Sequence, residues 1–133
     1  MMQAGDPNMT ITLNHILVPA RNKQAAAQFF AEMFGLEVGD KSPGSPPGRF
    51  AVVCVGGVNF DFSDTEKFEA HHYAFHVSDD EFDKIFGRMK ARGITYAADP
   101  TYRKIGELNS NDGGRGVYFR TPDGHNLELL TRS

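Results

Sequence analysis

The stretch HHYAFHVSDDEFDKIFGRMKARG, His71 to Gly93, decides the fold, because it reads as a strand running into a capped helix. Phe82, Ile85, Phe86 and Met89 follow the i, i+3, i+4, i+7 spacing of one buried helical face. Ser78 and Glu81 form the sequence pattern of a capping box at the helix start. Arg88, Lys90 and Arg92 put positive charge in the last turns, where the helix dipole favours it. Gly93 then suits a left-handed C-terminal cap.

The same plan occurs earlier in the chain. LNHILVPA, Leu13 to Ala20, is strand-like and is followed by Ala26, Phe29, Phe30 and Met33 at helical spacing and by Gly35. Each glycine leads into a short strand-like piece, LEVGD at 36–40 and ITYAA at 94–98. Two further strands close each half: RFAVVCV and VNFDF in the first, GVYFR and HNLELL in the second. The turn Thr121-Pro122-Asp123-Gly124 joins the last two, with Pro and Gly placed for a tight reversal. Strand, helix and three strands, given twice, predict an α+β fold with mostly antiparallel pairing.

Alternation sorts the strand side chains onto two faces. Val58, Phe60 and Phe62 share one face, as do Val117 and Phe119, and these are the expected core. The opposite faces carry Asn59 and Asp61, then Tyr118 and Arg120, then Asn126 and Glu128, with His72 and His76 together on another strand. Such a face has a plain explanation, since antiparallel sheets often leave one side to water. Its chemistry also admits another reading. His15, His72 and Glu128 lie on three separate strands, and two imidazoles with one carboxylate suit a catalytic divalent metal with open coordination positions.

A chain of 133 residues is of ordinary single-domain size. A net charge of -3 with intermixed signs gives no basic stripe, which argues against a nucleic-acid partner. No apolar run approaches the ~20 residues of a membrane span, and MMQAGDPNM at the N-terminus lacks a signal-peptide pattern, so residues 1–10 read as a flexible tail. The single Cys54 excludes an internal disulfide, fits a reducing, cytoplasmic location, and reads as a small core residue because its strand is apolar.

Two loops stand out. KSPGSPPG, Lys41 to Gly48, is too rich in Pro and Gly for regular structure and is expected to cross the surface. DPTYRKIGELNSNDGG, Asp99 to Gly114, lengthens the second half: His15 to Asp61 spans 46 positions, His72 to Glu128 spans 56. A loop of that length in a compact domain suggests a lid. Arg103 and Lys104 on it are candidates to meet an anionic substrate, or are two solvated charges.

The segments LNHILVPA, HHYAFHV and VYFRTPDGHNLELL resemble the vicinal oxygen chelate superfamily, which includes glyoxalase I, extradiol dioxygenases, fosfomycin-resistance enzymes and bleomycin-resistance proteins. The resemblance covers residues 11–131 and implies one domain of paired βαβββ modules, 11–66 and 70–131, forming a curled sheet around a metal-binding cavity. It implies one divalent ion per site, Fe, Mn, Zn or Ni, held by His15, His72 and Glu128. It implies Tyr118 as a hydrogen-bond donor to substrate and Asp61, at the position of a further glyoxalase I ligand, as a base or supporting acceptor. Asn59, His76, Arg103 and Lys104 are the expected substrate-binding groups. A homodimer is expected, with modules exchanged between copies in some branches, so His15 comes either from the same chain or from its neighbour.

The second half is most similar to the fosfomycin-resistance branch, through HYAF, Tyr118-Phe119 and PDGH. The first strand departs from that branch, with Leu17 where it places a threonine, and only five residues follow Glu128, before the basic residue that binds phosphonate there. Fosfomycin is therefore not the expected substrate. The implied function is a metal-dependent enzyme acting on a small substrate that chelates through two oxygens, by lyase or isomerase chemistry, thiol transfer or ring-cleaving oxygenation. The alternative is a metal-free drug-binding protein of the bleomycin-resistance kind, which would have no need of all three ligand types.

Overall fold

A computed structural model describes residues 10–132. The tail expected at 1–10 lies, apart from Thr10, outside the described residues. The strands are β1 (His15–Ala20), β2 (Ala51–Val55), β3 (Val58–Asp64), β4 (His72–His76), β5 (Tyr96–Ala97), β6 (Gly116–Arg120) and β7 (Asn126–Leu130). The helices are α1 (Lys23–Phe34) and α2 (Asp79–Ala91), with a single 3-10 turn at Asn111–Gly113.

Both helices end at the glycines their sequences predict, and α2 begins at its predicted cap. Asn22 caps α1 by accepting from the Ala25 amide at 3.0 Å. Ser78 and Glu81 close a complete capping box on α2. Gly35 ends α1 at φ 71, and an added Cβ there would stand 2.8 Å from the Arg88 guanidinium. That guanidinium donates to the Met33 carbonyl, so the end of α1 is sealed by a side chain of α2. Phe30, Met33, Phe82, Ile85 and Met89 are buried, as their helical spacing requires.

The strands form two sheets, in the orders β1-β3-β2 and β4-β7-β6-β5. Each has one parallel pair, β1 with β3 and β4 with β7, and is otherwise antiparallel. The architecture is thus α+β with mixed sheets; neither sheet closes on itself, and the single curled sheet expected from the sequence is not formed within one copy. The piece LEVGD makes only an isolated bridge, Gly39 to Val52. The Pro- and Gly-rich loop directly after it gives the chain no second residue to pair.

One core serves both halves. Phe30 and Phe34 of α1 stack at 4.6 Å, and Phe75 of β4 sits 4.8 Å from Phe34, so the first helix packs on the second sheet. Phe60 of β3 meets Tyr73 of β4 edge-on at 5.6 Å. His125 adds a polar tie between the halves: Nδ1 accepts from the His71 amide at 2.8 Å and Nε2 lies 2.7 Å from the Pro19 carbonyl. Being 2 % exposed, it is a buried polar group with both ring nitrogens partnered, the condition under which such burial is tolerated. Among the described residues, no helix is long and apolar enough to cross a membrane.

Cys54 departs from its expected place. Strand alternation sends Val53 into the core, 0 % exposed, and turns Cys54 outward, where it is exposed.

Candidate metal centre

Strand register builds the site. In the second sheet His72 pairs with Asn126, which pairs with Arg120; the next row on the same face is Ala74, Glu128 and Tyr118. His72 and Glu128 therefore stand diagonally across the parallel pair β4–β7. Nε2 of His72 lies 3.1 Å from Oε1 of Glu128, with His72 exposed on the edge strand and Glu128 partly exposed beside it. Diagonal neighbours on one face of a sheet are within reach of long side chains, which is why a histidine and a glutamate can meet here.

Tyr118 completes this corner. It is buried beside Glu128, and its ring meets His72 edge-on at 5.8 Å. Burial, and after it the neighbouring Glu128 charge, raises the phenol above its ordinary range, so the hydroxyl keeps its proton and is available as a donor. His76 faces the same side as His72 but turns to the end of β7, with Nε2 3.0 Å from the Thr131 carbonyl.

The first sheet carries a matching arrangement. His15 pairs with Asn59 and Asn59 with Cys54; the next row is Leu17, Asp61 and Val52. His15 is exposed, with Nδ1 2.7 Å from the Asn14 side chain. Asp61 is 1 % exposed and accepts from the Ser42 hydroxyl at 2.6 Å. Its other oxygen, Oδ1, is buried with no hydrogen-bond partner among the described residues. The loop Lys41–Gly48 thus folds over the polar face of this sheet and seals its carboxylate. Among the described residues, no group of three His, Cys, Asp or Glu side chains is gathered so as to hold a metal. One copy brings His72, Glu128 and Tyr118 together and leaves His15 and Asp61 on the other sheet.

The long loop of the second half is stitched down. Asp99 accepts from the Lys104 amide at 2.8 Å, the Arg103 amide at 3.1 Å and the Thr101 hydroxyl at 2.8 Å. Those bonds, led by the one from Lys104, hold its carboxyl down at about 2. The side chains of Arg103 and Lys104 remain exposed. Tyr102 between these anchors donates to Asn126 Oδ1 at 2.7 Å, beside His72, and burial pushes its phenol up to about 12. Sequence reasoning passed over Ser42 and Tyr102, and placed Asn126 on the polar face without giving it a role. The only local signal was Asp99 with Thr101 two residues on, a side-chain-bonded turn pattern.

The chain matches the family model described as Glyoxalase/Bleomycin resistance protein/Dioxygenase superfamily over residues 12–129. Among solved structures it is similar to Oxidase ChaP-H2, with 50% sequence identity and a TM-score of 0.85, covering 94% of this chain and 96% of that one. It is similar to Oxidase ChaP-H1 at 47% identity and a TM-score of 0.84, covering 93% and 98%. Glutathione transferase FosA of Serratia marcescens is 27% identical over 127 residues, 91% of this chain and 81% of that protein. The chain belongs to the glyoxalase/bleomycin resistance protein/dioxygenase superfamily.

Proposed function

We propose that this protein is a divalent-metal-dependent oxidase that acts on a small organic substrate through two neighbouring oxygens. The observation that carries the reading is the His72–Glu128 pair, 3.1 Å apart on one face of the β4–β7 pair with the Tyr118 ring 5.8 Å from that of His72. An imidazole and a carboxylate converging on one point fit a divalent ion, Fe, Mn, Zn or Ni, and need one further nitrogen ligand. His15 supplies it from a second copy. β1 and β4 are both edge strands, each exposing unpaired backbone, and each begins with one of the two histidines. Leu13 and Leu17 flank His15, exposed at 63% and 58%, an apolar margin fitted to cover by another chain. The working unit is a homodimer of single domains, residues 11–131, placed in the cytoplasm.

Oxidation is favoured over thiol transfer because the two oxidases share about half their residues with this chain, against about a quarter for FosA. A bound divalent ion would supply polarisation of two substrate oxygens and stabilise the negative charge that forms when one is deprotonated. The chain's own groups do the rest. Tyr118 donates to a substrate oxygen. Asp61, whose Oδ1 has no hydrogen-bond partner among the described residues, is the chain's group for moving a proton. Asn59 and His76, with Arg103 and Lys104 on the loop, border the substrate. Dioxygen is the electron acceptor the reading requires.

Metal content of protein purified without added metal, and its loss in His72→Ala, test the centre; unchanged metal in that variant overturns the ligand set. Dioxygen uptake with catechol-type probes tests the reaction. A metal-free protein that still binds such probes would establish the drug-binding alternative instead.

A further inference from the structure

His72 opens β4, an edge strand that pairs on one side, with β7. The first residue of such a strand is where fraying begins, because few bonds hold it. Here the residue before it has both backbone groups engaged. The His71 amide donates to Nδ1 of His125 at 2.8 Å, and the His71 carbonyl accepts from the Asn126 amide at 2.8 Å.

His125 can serve as that acceptor because its ring is held in one tautomer. A carbonyl only accepts, so Nε2, 2.7 Å from the Pro19 carbonyl, carries the proton and leaves Nδ1 free to accept. The Phe68 ring stacks on the imidazole with centres 5.4 Å apart, and 2 % exposure keeps water from competing for either nitrogen. Pro19 lies on β1, which begins at His15, while the backbone of His125 runs directly into β7, which carries Glu128. One buried imidazole thus ties together the three strands that bear the candidate ligands.

We propose that His125 is a positioning residue for the metal centre: through the His71 backbone it sets where His72 stands against Glu128 before an ion arrives. This rests on the metal-centred reading above. A ligand pair already 3.1 Å apart has little left to order on binding, and groups that orient metal ligands govern affinity by about ten- to a hundredfold.

Two substitutions separate the two arms of the ring. His125→Asn keeps an acceptor at the δ position for the His71 amide and gives up Pro19. His125→Gln carries a donor out to the ε position for Pro19 and gives up the His71 amide. The full chain of each is titrated with cobalt(II), read by its visible absorption, and the His71 amide is followed by hydrogen exchange in the metal-free protein. His125→Gln is expected to weaken cobalt binding at least about tenfold and to open the His71 amide to exchange, whereas His125→Asn should hold both near native values. Each variant loses one buried hydrogen bond, so a merely structural histidine would weaken cobalt binding alike in the two, in step with their denaturant midpoints. Equal losses, native affinity in both, a loss confined to His125→Asn, or a His125→Gln chain that does not fold overturns the positioning role alone. A native chain that binds no cobalt overturns the metal-centred reading, and the positioning role with it.

Discussion

The two halves of this chain place a histidine, an asparagine and a carboxylate at matching register positions, and the surroundings of the carboxylate differ between them. His15, Asn59 and Asp61 on β1 and β3 correspond to His72, Asn126 and Glu128 on β4 and β7, each set on a parallel strand pair. In the second half the carboxylate reaches the imidazole at 3.1 Å. In the first it lies under Ser42, 1 % exposed, with His15 turned to Asn14. Aspartate is one methylene shorter than glutamate, and the loop Lys41–Gly48 covers it, whereas the long loop of the second half docks on Asn126 and leaves Glu128 partly exposed. A repeated strand plan supplies two similar rows; side-chain length and the loop that crosses each sheet leave Glu128 partly exposed and Asp61 buried.

The largest expected effect breaks the equivalence directly. Glu128→Gln should lower metal affinity more than about a hundredfold, beyond the loss caused by groups that only support a ligand. Asp61→Asn should leave metal affinity unchanged. Metal titration of both variants decides the matter, and equal losses would show that the halves contribute alike.

Ser42→Ala sharpens the same comparison from the first half. It removes the one partner of a buried carboxylate whose other oxygen already has none among the described residues. The expected cost is about 1–3 kcal/mol of stability, read as a lower denaturant midpoint with an unchanged slope. Unaltered stability would mean that water reaches Asp61 and that the loop does not seal it.

How much of this was legible in the sequence depends on the range of the interaction. The helix faces, the Ser78–Glu81 capping box and the two glycine stops follow from contacts within a few residues, and all are present. The meeting of His72 with Glu128 follows from strand alternation once the pairing is known. Ser42 over Asp61, 19 residues apart, and Tyr102 on Asn126, 24 apart, depend on where loops land, and loop composition carries no such information. Cys54 was misplaced because an apolar strand reads as wholly buried, although alternation sends only every second side chain into a core packed on one face. The short strand at 36–40 failed for want of a partner: only Gly39 bridges to Val52.

Asp99 tests whether the loop of the second half is held as firmly as that of the first. Its carboxyl is depressed to about 2, against an ordinary value near 3.9. A depressed folded value means that the anchor is fully present above the ordinary value and is lost as pH falls through the folded one. Amide exchange at Arg103 and Lys104 should therefore stay protected down past the usual carboxylate range and open as pH falls toward about 2. Asp99→Asn should open the same amides at neutral pH and leave α1 and α2 protected. Protection that persists in the variant would assign the loop's order to Tyr102 alone.

The smallest effect concerns Cys54, which stands in the first half where Arg120 stands in the second. Its side chain leaves the core, so Cys54→Ser should change stability by no more than about 0.5 kcal/mol, the range of surface substitutions. The same exposure predicts rapid reaction with a thiol reagent in a single copy. If the face of His15 meets the face of His72 from a second copy, Cys54 lies near that junction, and reaction should slow as protein concentration rises and dimers form. A rate independent of concentration would place Cys54 clear of any junction, and the apolar margin of Leu13 and Leu17 would then need a different cover.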